Sequence, residues 1–200
     1  MSIQQMMLGV GAVAKHNAEL FTWGYNDHGS LGLGQGPGQL SSKSSPTQIP
    51  GTEWASVANK ATGPASISAM ATKQDGTLWA WGRNDAGQLG QNTKDDSRSS
   101  PVQVPGTWDT HANKITSQQN NFVGIRKDGT LWGCGGNPSG CMGTNTSTQY
   151  SSPIQISTDT TWDAVASTNR STIAVKTDGT LWAWGNNQGQ LGQNNTTQYS

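Results

Sequence analysis

Charge is what this sequence has least of. Lys and Arg together number 12, as do Asp and Glu, so the 200 residues carry no formal net charge. Charged residues make up 12 % of the chain, against about 25 % in an ordinary soluble domain. No basic excess draws it onto nucleic acid or an anionic membrane surface. Long hydrophobic runs are also missing: residues 6–10, with 11–14 behind them, fall far short of a membrane span. Cysteine is nearly absent. Cys134 and Cys141 cannot close a zinc site, and His16, His28 and His111 are too distant in sequence to help. A disulfide would need the segment between them to fold back on itself. Phe (2) and Tyr (3) are scarce, yet there are 9 Trp and 26 Gly. Disordered chains lack aromatics, so this one packs.

The tryptophans lie on a repeat. Leu20-Phe21-Thr22-Trp23-Gly24, Leu78-Trp79-Ala80-Trp81-Gly82, Leu131-Trp132-Gly133-Cys134-Gly135 and Leu181-Trp182-Ala183-Trp184-Gly185 begin 58, 53 and 50 residues apart. An Asn follows each Gly by two places (Asn26, Asn84, Asn137, Asn187). Then comes a Gly-x-aliphatic-Gly phrase, as in Gly87-Gln88-Leu89-Gly90. Further on, Ser-Pro-x-Gln-aliphatic recurs from Ser45, Ser100 and Ser152, and each copy is followed by a Trp (Trp54, Trp108, Trp162). Every Trp therefore occupies a repeat position. Periods of this length point to a propeller or another stacked array.

The repeats read as β-structure. Asp75-Gly76, Asp128-Gly129 and Asp178-Gly179 precede the Leu-Trp segments. Asp-Gly between extended runs signals a hairpin and predicts a type I′ turn, with positive φ at both central residues. Side chains alternate along a strand, so Trp79 and Trp81 share one face while Leu78 and Ala80 share the other. The pattern predicts stacked sheets, each bulky face pressed onto the small-residue face of its neighbour. The third copy departs from it, and Cys134 is expected as a core substitution with something else filling the gap. Two small buried side chains is then the reading for Cys134 and Cys141.

Leu-Trp-x-Trp-Gly-x-Asn, Gly-Gln-Leu-Gly, Ser-Pro-x-Gln-Val and Asp-Gly-Thr together resemble the regulator of chromosome condensation repeat, in its bacterial and viral form. The resemblance covers nearly the whole chain from residue 11 on. It implies an all-β fold, a β-propeller of four-stranded antiparallel blades, usually seven, whose two chain ends share one blade. The expected divisions are 1–19 as the closing strand of a split blade, 20–77, 78–130 and 131–180 as three repeats, and 181–200 as the start of a fourth. About three and a half repeats make a partial ring. The expectation is a truncated piece of a longer protein, with a ring completed by a second chain or a small closed ring as the alternatives. An open array exposes blade edges and invites self-association. Residues 6–14 hint at a signal peptide, but no Lys or Arg precedes them and they align with a blade strand.

No catalytic constellation stands out. The carboxylates are two Glu and ten Asp, and three of those Asp belong to turns. A glycosidase needs two converging carboxylates with shifted pKa values, and nothing singles out a pair. A nucleophile elbow and a phosphate loop are both missing. The Asn-Asp-x-Gly loops lack the alternating oxygens and distal Glu of a calcium loop, so no metal or cofactor is expected. The recurrent Asn is expected to satisfy its own turn. Lys15, Lys73, Arg126 and Lys176 beside the hairpins are read as solvated tips.

Function is expected where the copies differ. The loops after each Trp-Gly diversify while the scaffold repeats, as in a rigid platform presenting binding loops. Tyr25, Asp27, His28, Arg83, Asp85 and Asn186 are the candidate binding residues. The chain reads as a non-enzymatic recognition or structural protein with a protein or glycan partner, without nucleic acid or membrane insertion. Low charge and abundant Gly, Asn, Gln, Ser and Thr suit a phage tail or fibre, another extracellular protein or a cell surface. The resemblance also implies alternatives: guanine-nucleotide exchange on a small GTPase, or inhibition of an enzyme such as a β-lactamase. A carbohydrate-active hydrolase is a further alternative.

Overall fold

A computed structural model describes residues 17–35, 41–58, 68–118, 120–168 and 170–200. The strand expected within residues 1–16 lies outside them. The described residues form antiparallel β-sheets joined by loops, with two short 3-10 turns. The first sheet pairs β1 (Phe21–Gly24) with β2 (Lys43–Gln48). The second runs in simple meander order through β3 (Trp54–Val57), β4 (Ser68–Lys73), β5 (Leu78–Gly82) and β6 (Arg98–Val104). The third repeats that order with β7 (Ile115–Ser117), β8 (Asn121–Ile125), β9 (Leu131–Gly135) and β10 (Tyr150–Ser157). In the fourth, β11 (Trp162–Ser167), β12 (Ser171–Lys176) and β13 (Leu181–Gly185) are joined by a bridge from Gly185 to Tyr199.

The hairpins stand where Asp-Gly predicted them, but the turn type differs. Only the glycines have positive φ (Gly76 87°, Gly129 82°, Gly179 86°). Gly76 N donates to Lys73 O at 3.0 Å, and Lys73 N donates to Thr77 O at 2.9 Å. This is a three-residue loop with a glycine bulge, not a two-residue type I′ turn. The reason is the Asp side chain. Asp75 Oδ1 accepts from Thr77 N at 2.9 Å and from Thr77 Oγ1 at 2.7 Å, which holds the Asp outside the left-handed region. Asp128 with Thr130 and Asp178 with Thr180 do the same.

The sheets stack face to face as expected. Trp81, Trp54, Ala69 and Ala71 of the second sheet pack with Ile49 and with Leu20 and Leu33 of the first repeat. The opposite face of the second sheet (Met70, Leu78, Ala80, Val104) packs with Trp108, Ile115, Phe122 and Cys134 of the third. Val123, Ile125 and Leu131 meet Trp162, Val165, Ala174 and Trp184 in the next layer.

Each layer is keyed by a tryptophan seated on a glycine. The Trp81 indole lies where a Cβ on Gly32 would be, 2.9 Å from its Nε1. That Nε1 donates to Ser30 O at 2.9 Å. Trp184 repeats the arrangement on Gly143, donating to Cys141 O at 3.0 Å. Side chains at Gly32 or Gly143 would collide with the ring, and both residues have positive φ (68° and 73°).

The third sheet has Cys134 at the key position, and its missing aromatic sits one strand away. In the second and fourth sheets Trp81 pairs with Ala69 and Trp184 with Thr172; in the third, Cys134 pairs with Phe122. Large and small have exchanged places across one register pair. Phe122 is fully buried and meets Trp108 edge-on at 5.5 Å, as Trp81 meets Trp54 at 6.1 Å. Cys134 Sγ takes over the hydrogen bond to the preceding sheet, 3.4 Å from Gly87 O. Both cysteines are free and buried. Burial raises the Cys134 thiol pKa well above its ordinary value and lifts that of Cys141 to about 11. These are packing residues, as the sequence suggested.

The inner strands β7 and β11 pack against one another while β6 and β10 lie outermost, so the sheets radiate as blades of a β-propeller. The arc is open. Phe21 and Trp23 on the first sheet and Ile173 and Leu181 on the fourth are exposed.

Two outcomes check this packing. Cys134→Trp overpacks the third sheet and lowers unfolding free energy by about 1–3 kcal/mol; adding Phe122→Ala recovers most of the loss, a coupling readable in urea denaturation. Neither thiol of the folded protein reacts with a disulfide reagent at mildly alkaline pH, and both react after unfolding.

Candidate functional site

Antiparallel order puts alternate connections at opposite edges of every blade. One edge carries the Asp-Gly hairpins. The other carries the loops that follow β1, β5, β9 and β13, which hold all six candidate residues.

These loops are built on the repeated Asn. Asn84 is fully buried; its Oδ1 accepts from Leu89 N at 3.0 Å, and its Nδ2 donates to Thr93 O at 3.1 Å and to Asp96. Asn26, Asn137 and Asn187 make the same two-sided closure, through Leu31 N, Met142 N and Leu191 N on the acceptor side. The side chain satisfies its own loop, as the sequence implied. The Gly-x-aliphatic-Gly phrase then returns the chain against the next blade: a Cβ on Gly29 would lie 2.4 Å from Ser99 Cα, and one on Gly87 2.6 Å from Ser151 Cα.

With the frame buried, the variable residues range from exposed to half-buried. Tyr25 is 76 % exposed, and Asp27 and His28 beside it are also exposed. His28 adopts φ 57° and its Nδ1 lies 3.2 Å from Ser97 Oγ of the neighbouring blade. Arg83 and Asp85, both half-buried, pair with each other. Asn186 is half-buried, its N donating to Arg170 O at 2.8 Å. The structure thus sets these residues on successive loops of one edge, and no hydrogen bond among the described residues joins a candidate in one loop to a candidate in another. The edge carries both signs of charge in neighbouring pairs, Arg98 with Asp96 being another.

The hairpin edge corrects the sequence reading. Lys15 lies outside the described residues, but Lys73, Arg126 and Lys176 are not solvated tips. Each lies between two indoles: Lys73 Nζ is 5.1 Å from the Trp54 ring centre and 4.9 Å from that of Trp79. Arg126 lies 5.4 Å from Trp108 and 3.4 Å from Trp132, and Lys176 lies 4.8 Å from Trp162 and 4.5 Å from Trp182. Desolvation lowers the Arg126 pKa. Each column continues outward, Trp79 Nε1 donating to Thr77 Oγ1 at 2.8 Å, which in turn bonds Asp75. A cation–π contact contributes about 0.5–2 kcal/mol, rising with desolvation, so these cations act in the scaffold.

A feature missed from the sequence lies on this edge. Trp54 and Trp162 open their strands directly, but Trp108 is separated from β7 by residues 109–114. In that segment His111 Nδ1 lies 2.6 Å from Asp109 Oδ1, and Lys114 Nζ reaches Asp163 of the fourth sheet at 2.8 Å. Two depressions, of about 410 and 140 Å³, open nearby; the larger is lined by Thr107, Arg126, Lys127 and Asp128. The longer gap between Trp108 and Ile115 was the available signal.

Every carboxylate with a resolved shift, Asp75, Asp96, Asp109, Asp128 and Asp178, is lowered. A general acid needs the reverse. Among the described residues no group of three His, Cys, Asp or Glu is placed to hold a metal ion.

The hairpin carboxylates supply a pH test. Thr77 and Thr130 side-chain hydrogen bonds, with their backbone amides, hold Asp75 and Asp128 below the ordinary value, and Asp178 follows through Thr180. Their stabilisation is complete above the unfolded value of about 3.9 and is lost as pH falls through the lower folded values. Thermal melts from neutral to acid pH show that decline, and Asp128→Asn makes it shallower.

Comparison with known proteins agrees with this geometry. The regulator of chromosome condensation (RCC1) repeat profile matches residues 17–59 and 75–117, and a second profile of the same description matches 162–193. The probable E3 ubiquitin-protein ligase HERC3 of Homo sapiens is 29 % identical over 140 residues, covering 70 % of this chain and 13 % of its own length. The ultraviolet-B receptor UVR8 of Arabidopsis thaliana is 26 % identical over 153 residues, covering 74 % and 33 %. The chain therefore spans a minor part of these relatives. Among solved structures, human WBSCR16 superposes with a TM-score of 0.72 at 20 % identity, over 90 % of this chain and 46 % of that one. Prp20p of Saccharomyces cerevisiae, described with its binding properties to Gsp1p and histones, gives 0.69 at 20 %, over 91 % and 44 %. With the profiles covering more than half of its residues, and its keyed sheets matching the propellers of that repeat, the chain belongs to the RCC1 repeat family.

Proposed function

We propose that this chain is a non-catalytic recognition propeller that binds a protein partner through the Asn-anchored loop edge. The observation that carries the reading is the division of labour within each loop. Asn26, Asn84, Asn137 and Asn187 are buried and close the loop, while the residues beside them differ from copy to copy and most of them reach solvent, Tyr25 and Asp27 being exposed and Arg83, Asp85 and Asn186 half-buried. A rigid base with variable tips suits recognition, because little conformational entropy is lost on binding. Tyr25 has the character of an anchor, being large, amphipathic and 76 % exposed. Paired charges of both signs favour a polar protein surface over a polyanion. Protein binding in relatives supports the partner class: yeast RCC1 (Prp20) has been solved bound to Kap60.

A virion tail or cell-surface setting, with a glycan as the other partner class, rests on composition alone: low charge and abundant small polar residues. Guanine-nucleotide exchange or enzyme inhibition would use the same non-catalytic surface, and the identity of the captured partner separates them.

The test is affinity capture with the immobilised chain, followed by measurement of the recovered partner's affinity. Tyr25→Ala and Arg83→Ala are expected to weaken binding about tenfold each with unchanged thermal stability. Lys127→Ala on the opposite edge leaves it unaltered. Loss of binding with Lys127→Ala but not with the loop variants would overturn the assignment.

A further inference from the structure

Seven of the eight large hydrophobic residues exposed among the described residues lie on, or immediately after, the first and last sheets: Phe21, Trp23 and Tyr25 at one end, and Ile173, Leu181, Trp182 and Tyr199 at the other. The two ends are opposite halves of the internal interface.

Phe21 and Trp23 occupy the register places of Trp79 and Trp81, so the first sheet presents the bulky face. Ile173, Leu181 and Ala183 occupy those of Met70, Leu78 and Ala80, so the fourth presents the small-residue face. Between the second and third sheets Met70, Leu78 and Ala80 are fully buried; on the fourth, Ile173 is 44 % and Leu181 68 % exposed.

The point contacts are complementary as well. Inside the arc Gly32 and Gly143 each seat an indole, and a Cβ on Gly90 would lie 3.4 Å from Cys134 Sγ. Gly192 holds the same place in the fourth repeat and has nothing within 4 Å. Gly29 and Gly87 press on Ser99 and Ser151, whereas their counterpart Gly189 is open. Gly76 and Gly129 abut the connections of the following sheet, and their counterpart Gly179 is open too. All three seats on the outer side of the fourth sheet are thus uncovered, while Trp23 is 62 % exposed and no glycine among the described residues seats it.

We propose that a second copy of this chain docks head to tail, its first sheet on the fourth sheet of its neighbour. Trp23 then lies over Gly192 with its indole N–H directed at the Gln190 carbonyl, as Trp81 does at Ser30. Ser44 of β2, the counterpart of Ser99 and Ser151, meets Gly189. The contact is heterologous, each copy offering different surfaces, so it closes into a ring or propagates.

Sedimentation equilibrium on the 200-residue chain tests this. The wild-type mass is expected to exceed one copy and to rise with concentration unless a ring closes. Trp23→Glu, which removes the head, and Leu181→Glu, which removes the tail, each abolish association while circular dichroism stays unchanged, since both side chains are mostly exposed. Mixing the two variants restores a one-to-one dimer, because each retains the half that the other lacks. A monomeric wild type, a single variant that still self-associates, or a mixture that stays monomeric would each overturn the proposal.

Discussion

The contact on which this architecture depends is an indole laid over a glycine of the preceding sheet, its N–H donated to a backbone carbonyl there. Trp81 over Gly32 and Trp184 over Gly143 do three things with one side chain. They bury a large apolar surface, satisfy the indole N–H on a backbone carbonyl of the preceding repeat, and set the lateral position of one blade on the next. Burying a large aromatic contributes several kcal/mol, and the hydrogen bond adds direction that dispersion alone lacks. A β-sheet with one bulky and one small-residue face has no stable state alone, so the blades hold one another in place.

The third blade shows which part of that contact is negotiable. The volume matters more than the strand supplying it, because Phe122 stands in for the lost indole from the adjacent register position. The polar half is retained in weaker form by the Cys134 thiol. Around this core each edge has its own closure. The loop edge uses a buried Asn per blade, and the hairpin edge uses an Asp, a Thr, two Trp and a cation in a column. The cation removes an ionic group from the surface, consistent with a chain so poor in charge, and leaves the loop edge as the place where side chains vary without disturbing the scaffold.

The repeat, the positions of the Asp-Gly hairpins and the sheet-on-sheet stacking were legible in the sequence because each depends on local period. Alternation of Leu, Trp, Ala and Trp settles which side chains share a face, and spacing of about fifty residues settles the blade. The role of Asn was legible for the same reason, since its bonds stay within its own loop, twelve residues at most. The turn type was not. It turned on whether Asp75 adopts positive φ, and the Thr77 hydroxyl and amide decided that against the dipeptide rule. Lys73, Arg126 and Lys176 were misread because a charge beside a hairpin is usually wet; the second indole of each clamp lies on another strand, about twenty or fewer residues away, and only folding brings it across.

By itself, then, the sequence determined what each repeat can become: a β-unit with a heavy face, a light face and a tied-down loop. Those properties follow from backbone stereochemistry and side-chain alternation, which act over a few residues. Only the tertiary structure decided which groups meet across sheets: the exchange of Phe122 for a tryptophan, the insertion at 109–114 that reaches Asp163, and the uncovered seats at Gly179, Gly189 and Gly192. Contacts between blades depend on packing of close-fitting surfaces, and a linear pattern records the shape of each surface without saying which other surface it touches.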